Sequence, residues 1–229
     1  MTLAILSWGA HQTLINTLES YRKYGLDILD NDKVIFFQEY SKRDREIAQE
    51  YGYDSFGSSD NIGIAEAYKL LVNYASGDLL LFLENDWELI EEPGEQISKA
   101  SMMLRNCTLD VAKFRHRKNP GAPLWSSRFN GQELSSLDAQ HYLLDSVYWR
   151  ENPEIFSPLI EKVDDWYFAT SQNANWTNNP TMFRVSFLKE IILPIISGDI
   201  EVSIQDWWQK TSFNVGHGDG LFTHNRIDR

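Results

Sequence analysis

Apolar runs alternate with amphipathic stretches through the first ninety positions. Leu3 to Ser7 is a short apolar run and predicts a buried strand, and Lys33 to Gln38 (KVIFFQ) predicts a second. His11 to Tyr24 places Leu14, Leu18 and Tyr21 at helical spacing, with Gly25 as the stop. Arg43 to Tyr51 reads as a polar helix with Ile47 and Ala48 turned inward and Gly52 at its end. Ile62 to Tyr74 carries Ala67, Leu70, Leu71 and Tyr74 on one stripe. Ser76-Gly77-Asp78 then turns the chain into Leu79 to Leu83, apolar on both faces as a central strand of a parallel sheet requires. Strand, helix, strand, helix, helix, strand is the signature of an α/β fold with a mainly parallel, Rossmann-like central sheet flanked by helices. Ligands of such sheets lie beyond the carboxyl ends of the strands, so the residues after Leu6, Phe37 and Leu83 are expected to share one crevice.

The second half is less regular. Glu95 to Arg105 predicts a helix, Leu109 to Phe114 a strand and Val202 to Lys210 a further helix, while residues 116–136, rich in Arg, Pro, Gly, Ser and Asn, read as a long loop. No repeat or linker marks a boundary. One continuous domain with an irregular carboxyl-terminal half is the expectation.

Composition narrows the partners. The 229 residues are 42% hydrophobic and 24% charged, enough for a sizeable core. Against 33 Asp and Glu stand only 21 Lys and Arg, a net charge of −12, which disfavours sequence-independent binding of nucleic acid or of anionic lipid. An acidic protein that handles phosphates needs a divalent metal or helix N-termini in place of a basic face. The single cysteine, Cys107, excludes a disulfide framework and fits a reducing compartment. No apolar run approaches the roughly 20 residues of a membrane span, and the amino-terminal MTLAILSWGA reads as a strand rather than a signal peptide. A cytoplasmic location, with peripheral membrane association as a variant of it, is expected.

The richest stretch runs from Asn61 to Trp87. Glu84-Asn85-Asp86 falls at the carboxyl end of the central strand, where two carboxylates flanking one residue of an extended chain point the same way. That arrangement suits a hard cation, Mg²⁺ or Mn²⁺, shared with a diphosphate. The stretch resembles the nucleotide-sugar half of GT-A glycosyltransferases, close to the family 2 group. That group reads Asn-x-Gly, an alanine-rich helix, Ala-x-Gly-Asp, an apolar strand and Asp-x-Asp. Here stand Asn61 and Gly63, Ala65 and Ala67, Ala75, Gly77 and Asp78, Leu79 to Leu83, then Glu84-Asn85-Asp86, in register over 26 residues. Two departures stand out: Lys69 replaces a frequent asparagine, and Glu84 replaces the first aspartate of the DxD-like motif.

The resemblance implies a single GT-A-like domain over 1–229, with residues 1–90 binding the nucleotide-sugar and 91–229 the acceptor. Asp86 is the metal ligand it carries over, with His224 as a further ligand and Glu84 reaching the ribose, a metal-bound water or the metal. His217 rivals His224. Ser7, Trp8, Glu39, Asn61, Gly63, Glu84 and Asn85 fall at donor-binding positions, Trp8 as a stacking surface and Glu39 as the acidic residue beside the base. The glycines of Gly216 to Gly220 suggest a pliant loop over the nucleotide. Glu201 is expected as the base that deprotonates the acceptor hydroxyl, with Asp199 and Asp206 in reserve and Asp164-Asp165 more distant. Five of the eight tryptophans lie between 149 and 208, and Trp176, Trp207 and Trp208 are candidates for an acceptor groove. Asn178 to Arg184 is a further candidate segment at the cleft.

The expected activity is therefore a metal-dependent, inverting transfer of a sugar from a nucleoside-diphosphate sugar of the UDP or GDP type. The acceptor would be a hydroxyl of a glycan, a lipid-linked molecule or a protein. Two rivals remain: a catalytically degenerate carbohydrate- or nucleotide-binding domain on the same fold, and a nucleotidyltransferase. The latter usually carries a basic glycine-rich loop after its first strand, and Ser7 to His11 has no Lys or Arg.

Overall fold

The computed structural model describes residues 1–29, 32–121 and 160–228, and the backbone of 128–129 and 132–133. The chain begins β1 (Thr2–Trp8), α1 (His11–Tyr24), β2 (Lys33–Gln38), α2 (Lys42–Tyr51), β3 (Asp54–Gly57), α3 (Ile64–Tyr74) and β4 (Leu79–Glu84). It continues through β5 (Trp87–Leu89), α4 (Gly94–Arg105) and β6 (Val111–Arg115). A two-stranded pair, β7 (Arg128–Phe129) and β8 (Gln132–Glu133), precedes β9 (Glu161–Val163), β10 (Trp166–Thr170) and β11 (Thr181–Arg184). Short helical turns at Val185–Phe187, Leu188–Ile192, Ile200–Ser203 and Gln205–Trp208 lead to the eleven-residue β12 (Asn214–His224).

One sheet carries most of the chain, in the order β3-β2-β1-β4-β11-β6-β12-β10-β9, with β5 paired to β12. The first four strands in that order are parallel, as the βα alternation demands. Beyond β4 the sheet is mixed. β11 runs antiparallel to both β4 and β6, while β6 and β12 are parallel.

Strand alternation divides the core into two layers. Leu3 and Ile5 of β1 pack with Leu14, Leu18 and Tyr21 of α1, Ile47 of α2 and Leu104 of α4 on one face. Ala4 and Leu6 pack with Ala65, Tyr68 and Leu71 of α3 on the other. Gly25 and Gly52 close α1 and α2 at φ 77° and 72°, where a side chain would be strained. Ser41 and Asp44 form a reciprocal capping box at the start of α2.

Several expectations shift. On α3 the inward stripe is Ala65, Ala67, Tyr68, Leu71 and Val72, and Leu70 and Tyr74 face outward. The helix expected over Val202 to Lys210 is two short turns displaced toward the amino terminus. The Gly216–Gly220 segment is strand rather than pliant loop. Leu109, Trp166 and the Arg115 backbone crowd where Cβ atoms would sit at Gly216, Gly218 and Gly220. The loop expected over 116–136 lies largely outside the described residues, and the β7–β8 pair falls within it. No helix among the described residues is long and apolar enough to cross a membrane.

Tyr68 is buried, its ring tilted against Phe82 and edge-on to Trp176, and its hydroxyl has no hydrogen-bond partner among the described residues. An unsatisfied buried hydroxyl is a cost that phenylalanine removes. Tyr68→Phe is expected to leave urea-unfolding stability unchanged or raise it by up to about 1 kcal/mol. A loss larger than about 1 kcal/mol would show that the hydroxyl is bonded.

Candidate active site

The carboxyl ends of β1, β2 and β4 open on a crevice in two connected chambers. The outer one, about 890 Å³, is walled by Trp8, Gly9, Glu39, Arg226, Ile227 and Asp228. The inner one, about 180 Å³, is formed by Leu6, Trp8, Gln38, Asn61, Ile64, Glu84, Asn85, Asp86 and Arg226. Trp8 and Arg226 belong to both.

The acidic motif owes its position to α1. Thr17 Oγ1 donates to the Asn85 carbonyl at 2.8 Å, Tyr21 Oη donates to the Trp87 carbonyl at 2.8 Å, and Ser20 Oγ accepts from the Leu89 amide at 2.9 Å. Thr17 and, one turn further on, the adjacent Ser20 and Tyr21 thus fix the backbone from 85 to 89. Asn85 and Asp86 form a turn between β4 and β5, so Glu84, Asn85 and Asp86 all reach the inner chamber by turn geometry rather than by strand alternation. β5 then pairs antiparallel with β12, setting His224 opposite Trp87. The His224 ring meets the Trp87 ring edge-on at 5.0 Å. As a result His224 Nε2 lies 3.2 Å from Asp86 Oδ2.

That pair can hold a cation. Two cis ligands of an octahedral ion with bonds of about 2.1 Å sit about 3 Å apart, close to the observed 3.2 Å. Asp86 Oδ1 is buried with no hydrogen-bond partner among the described residues, as are Asn85 Nδ2 and Ser7 Oγ, and Ser7 is not in the lining of either chamber. Among the described residues no three His, Cys, Asp or Glu side chains converge in a metal-binding group. The pair would offer a cation two ligands and leave its other positions to phosphates and water. Glu84 lines the same inner chamber as Asp86. Burial first, then the Asp86 and Glu201 charges, push its carboxyl well above the usual carboxylate range, while Arg226 opposes them.

Trp8 is 51% exposed at the mouth, and its Nε1 donates to Glu39 Oε2 at 3.2 Å. Glu39 itself sits at φ 57°, turned out of β2. Asn61 Oδ1 accepts from the Gly63 amide at 2.9 Å, which shapes the turn into α3. Lys69, the first departure from the family pattern, is engaged on the α3 surface by Glu66 at 2.7 Å.

Glu201 stands in the first turn of the Ile200–Ser203 helix, exposed, with Oε1 accepting from the Asn178 amide at 2.6 Å. Its charge reaches Glu84. The Gly198 carbonyl accepts from the Ala65 amide at 3.3 Å, which docks this helix beside the start of α3. Asp199 is the N-cap, accepting from Val202, and Asp206 is exposed on the next turn. Asp165 is paired with Lys99 at the β9–β10 turn.

The aromatic groove does not form as expected. Trp176 and Trp208 are 3% and 1% exposed in the core, stacked on Phe183 and Phe213, because their apolar area packs behind α3. Trp207 is half-buried against Trp208 and Phe213. Of the Asn178–Arg184 segment, Asn178 contacts Glu201 while Thr181–Arg184 is β11 inside the sheet. His217 is buried mid-strand, seven residues before His224, with Nδ1 2.7 Å from the Gly218 carbonyl oxygen. Neither histidine lines the two chambers, and it is His224 that meets Asp86. Three residues without a sequence signal complete the crevice: Gln38, Arg226 and Asp228. Gln38 follows no motif, and the other two come from a segment some 140 residues beyond the acidic turn.

No family model matches the chain, and no curated protein matches it in sequence. Solved structures match it in fold. TarS 1–349 of S. aureus superposes with a TM-score of 0.56 at 10% identity, covering 98% of this chain and 60% of that one. GalNAc-T7 with UDP, GalNAc and Mn²⁺ gives 0.62 at 13% identity, covering 100% and 44%. The mannosyltransferase PcManGT from Pyrobaculum calidifontis, with GDP-Man and Mn²⁺, gives 0.58 at 8%, covering 99% and 57%. The chain thus spans less than two thirds of each of these proteins, and it has the GT-A fold. A nucleotidyl transferase from Methanothermobacter matches less closely, with a TM-score of 0.50 at 8% identity over 95% of this chain and 87% of that one. Fold alone therefore does not select the chemistry.

Gln38 ties β2 to the start of α3. Its Oε1 accepts from the Ile62 amide at 2.9 Å and its Nε2 donates to the Gly63 carbonyl at 3.0 Å, in a buried setting. Gln38→Ala strands both backbone groups and is expected to cost about 1–3 kcal/mol in urea unfolding. Unchanged stability would show that the turn holds itself.

Proposed function

We propose that the protein is a glycosyltransferase that moves a sugar from a nucleoside-diphosphate sugar of the UDP or GDP type onto an acceptor hydroxyl, with a divalent metal and with inversion. The observation that carries this reading is the Asp86–His224 pair, 3.2 Å apart at the tip of the central strand of a GT-A fold, with Asp86 in the lining of the inner chamber. The metal-bearing glycosyltransferases of the same fold support it.

In this reading residues 1–90 form most of the donor site and 91–229 most of the acceptor site, although His224 and Arg226 cross into the former. The half-exposed Trp8 face offers a stacking surface for the base, and Glu39 accepts from base N–H groups. Asn61 and Gly63 shape the turn that approaches the donor. Asp86 and His224 would hold Mn²⁺ or Mg²⁺, whose charge offsets that of a departing diphosphate. Glu84, in the lining of the inner chamber, would reach the ribose, a metal-bound water or the metal itself.

Inversion needs one carboxylate on the side opposite the leaving group. Glu201 has traits that suit the role: it is exposed, oriented by the Asn178 amide and carried on a helix docked beside the start of α3. It would accept the acceptor's hydroxyl proton as the oxygen attacks the anomeric carbon. Asp199 is occupied as a cap, which leaves Asp206 as the alternative. With Trp176 and Trp208 in the core, the acceptor is not expected to stack on them, and its class, glycan, lipid-linked or protein, would be read by other surfaces. Cys107 is an exposed thiol, consistent with a cytoplasmic setting.

A screen of UDP-, GDP- and dTDP-sugars for Mn²⁺-dependent binding and slow hydrolysis tests the reading without knowing the acceptor. Release of the nucleoside diphosphate supports sugar transfer, whereas release of pyrophosphate from a nucleoside triphosphate supports nucleotidyl transfer. Asp86→Ala is expected to lose metal-dependent nucleotide binding while keeping its melting temperature, and full binding in that variant refutes the site. Glu201→Gln is expected to lower kcat about 10²–10⁴-fold with nucleotide affinity unchanged. Wild-type kcat in that variant would move the base role to Asp206.

A further inference from the structure

The segment that follows β12 is tied down on both sides of the crevice. On one side the Asn225 amide donates to the Asp86 carbonyl at 2.8 Å, and Asn225 Nδ2 donates to Glu88 Oε1 at 2.9 Å. On the other side Asp228 accepts from the Gln12 and Thr13 amides, both at 2.9 Å, and from the Thr13 hydroxyl. The Ile227 and Asp228 amides donate back to Thr13 Oγ1 at 3.1 and 3.3 Å. Ala10, the residue before α1, is in a left-handed conformation and offers no capping side chain, so Asp228 caps the helix. The hydrogen bonds from Thr13 and the two amides hold the Asp228 carboxyl below the usual range even though burial, the largest influence, acts the other way.

Arg226 is suspended between these anchors. Its Nε donates to the Asp228 carbonyl at 3.2 Å, and its guanidinium lies 3.8 Å from Asp86 Oδ2. Among the described residues that line the two chambers it is the one cationic side chain, set among Glu39, Glu84, Asp86 and Asp228. Such a crevice repels a diphosphate unless cations are fixed in it, and a guanidinium fork matches phosphate oxygens in pairs.

We propose that Asn225–Asp228 is a fixed strap that holds Arg226 in the crevice as the protein's own cation for the donor's diphosphate, with Asp228 as the positioning residue that locks the strap onto α1. This rests on the donor-site reading above. Asp228 faces the outer chamber by its position, but its carboxylate is committed to the helix end. The strap therefore supplies one positive charge without opening the α1 terminus to phosphate.

The test is calorimetric binding of inorganic pyrophosphate, UDP, GDP and the parent nucleosides in Mn²⁺, using the whole chain. R226Q is expected to weaken pyrophosphate and both diphosphates about tenfold or more, leaving nucleoside binding unchanged, with R226K in between. D228N and T13V, the second of which alters no charge, are expected to weaken pyrophosphate in the wild-type background and not in the R226Q background, since the residues act as one unit. Undiminished pyrophosphate binding by R226Q overturns the proposal, and the donor reading survives if D86A still loses UDP and GDP. Losses from D228N and T13V that persist in the R226Q background overturn the positioning role. A wild-type protein that binds none of these ligands overturns both readings.

Discussion

The pairing of β5 with β12 is the constraint on which the crevice depends. It brings together Trp87 and His224, which lie far apart in sequence, and so sets an imidazole beside the carboxylate that ends the central strand. The three-residue β5 would be too short to hold a partner by itself. It is held because Tyr21 and Ser20 fix its backbone from one side and the Asn225 amide fixes the preceding Asp86 from the other. Removing that pairing would leave Asp86 in place but deprive it of its neighbour.

α1 has a double role that its amphipathic pattern does not suggest. Its inner face packs in the core through Leu14, Leu18 and Tyr21, while Thr13, Thr17, Ser20 and Tyr21 make polar bonds to the two segments that carry the candidate ligands. The helix works as a brace between the acidic turn and the strap. This explains why its polar residues facing inward are small hydroxyl side chains: they reach backbone groups without taking up core volume. The acidic composition acquires a local meaning as well. Most charged side chains lining the crevice are acidic, so in the proposed reading affinity for a diphosphate would rest on a few fixed cations rather than on a basic surface.

Most of the first ninety residues were legible because local periodicity decides them, although the four-residue β3 (Asp54–Gly57) and the three-residue β5 are too short to show it. Leu79 to Leu83 could only be a strand buried on both faces, and its end located the acidic turn. Asp86 and His224 were named from family spacing, and the fold brings them together. What escaped was set by long-range pairing. β5, β9, β10 and β11 are only three to five residues long, and no run that short carries a readable period. The glycines at 216, 218 and 220 suggested mobility, but they answer close approach by Leu109, Trp166 and Arg115 in a packed strand. Trp176 and Trp208 were candidates for a sugar platform because tryptophans serve both surfaces and cores, and only tertiary packing separates the two. Arg226 and Asp228 could not be found from sequence, since their meaning comes from lying across a crevice built by residues more than a hundred positions earlier.

The most direct test of the central claim is a crystal structure of the protein grown with Mn²⁺ and UDP or GDP, read by anomalous scattering at the manganese edge. The account predicts a single strong peak in the crevice, bonded to both Asp86 and His224 and to the diphosphate. A peak elsewhere, or a nucleotide bound with no ion at that pair, would contradict it.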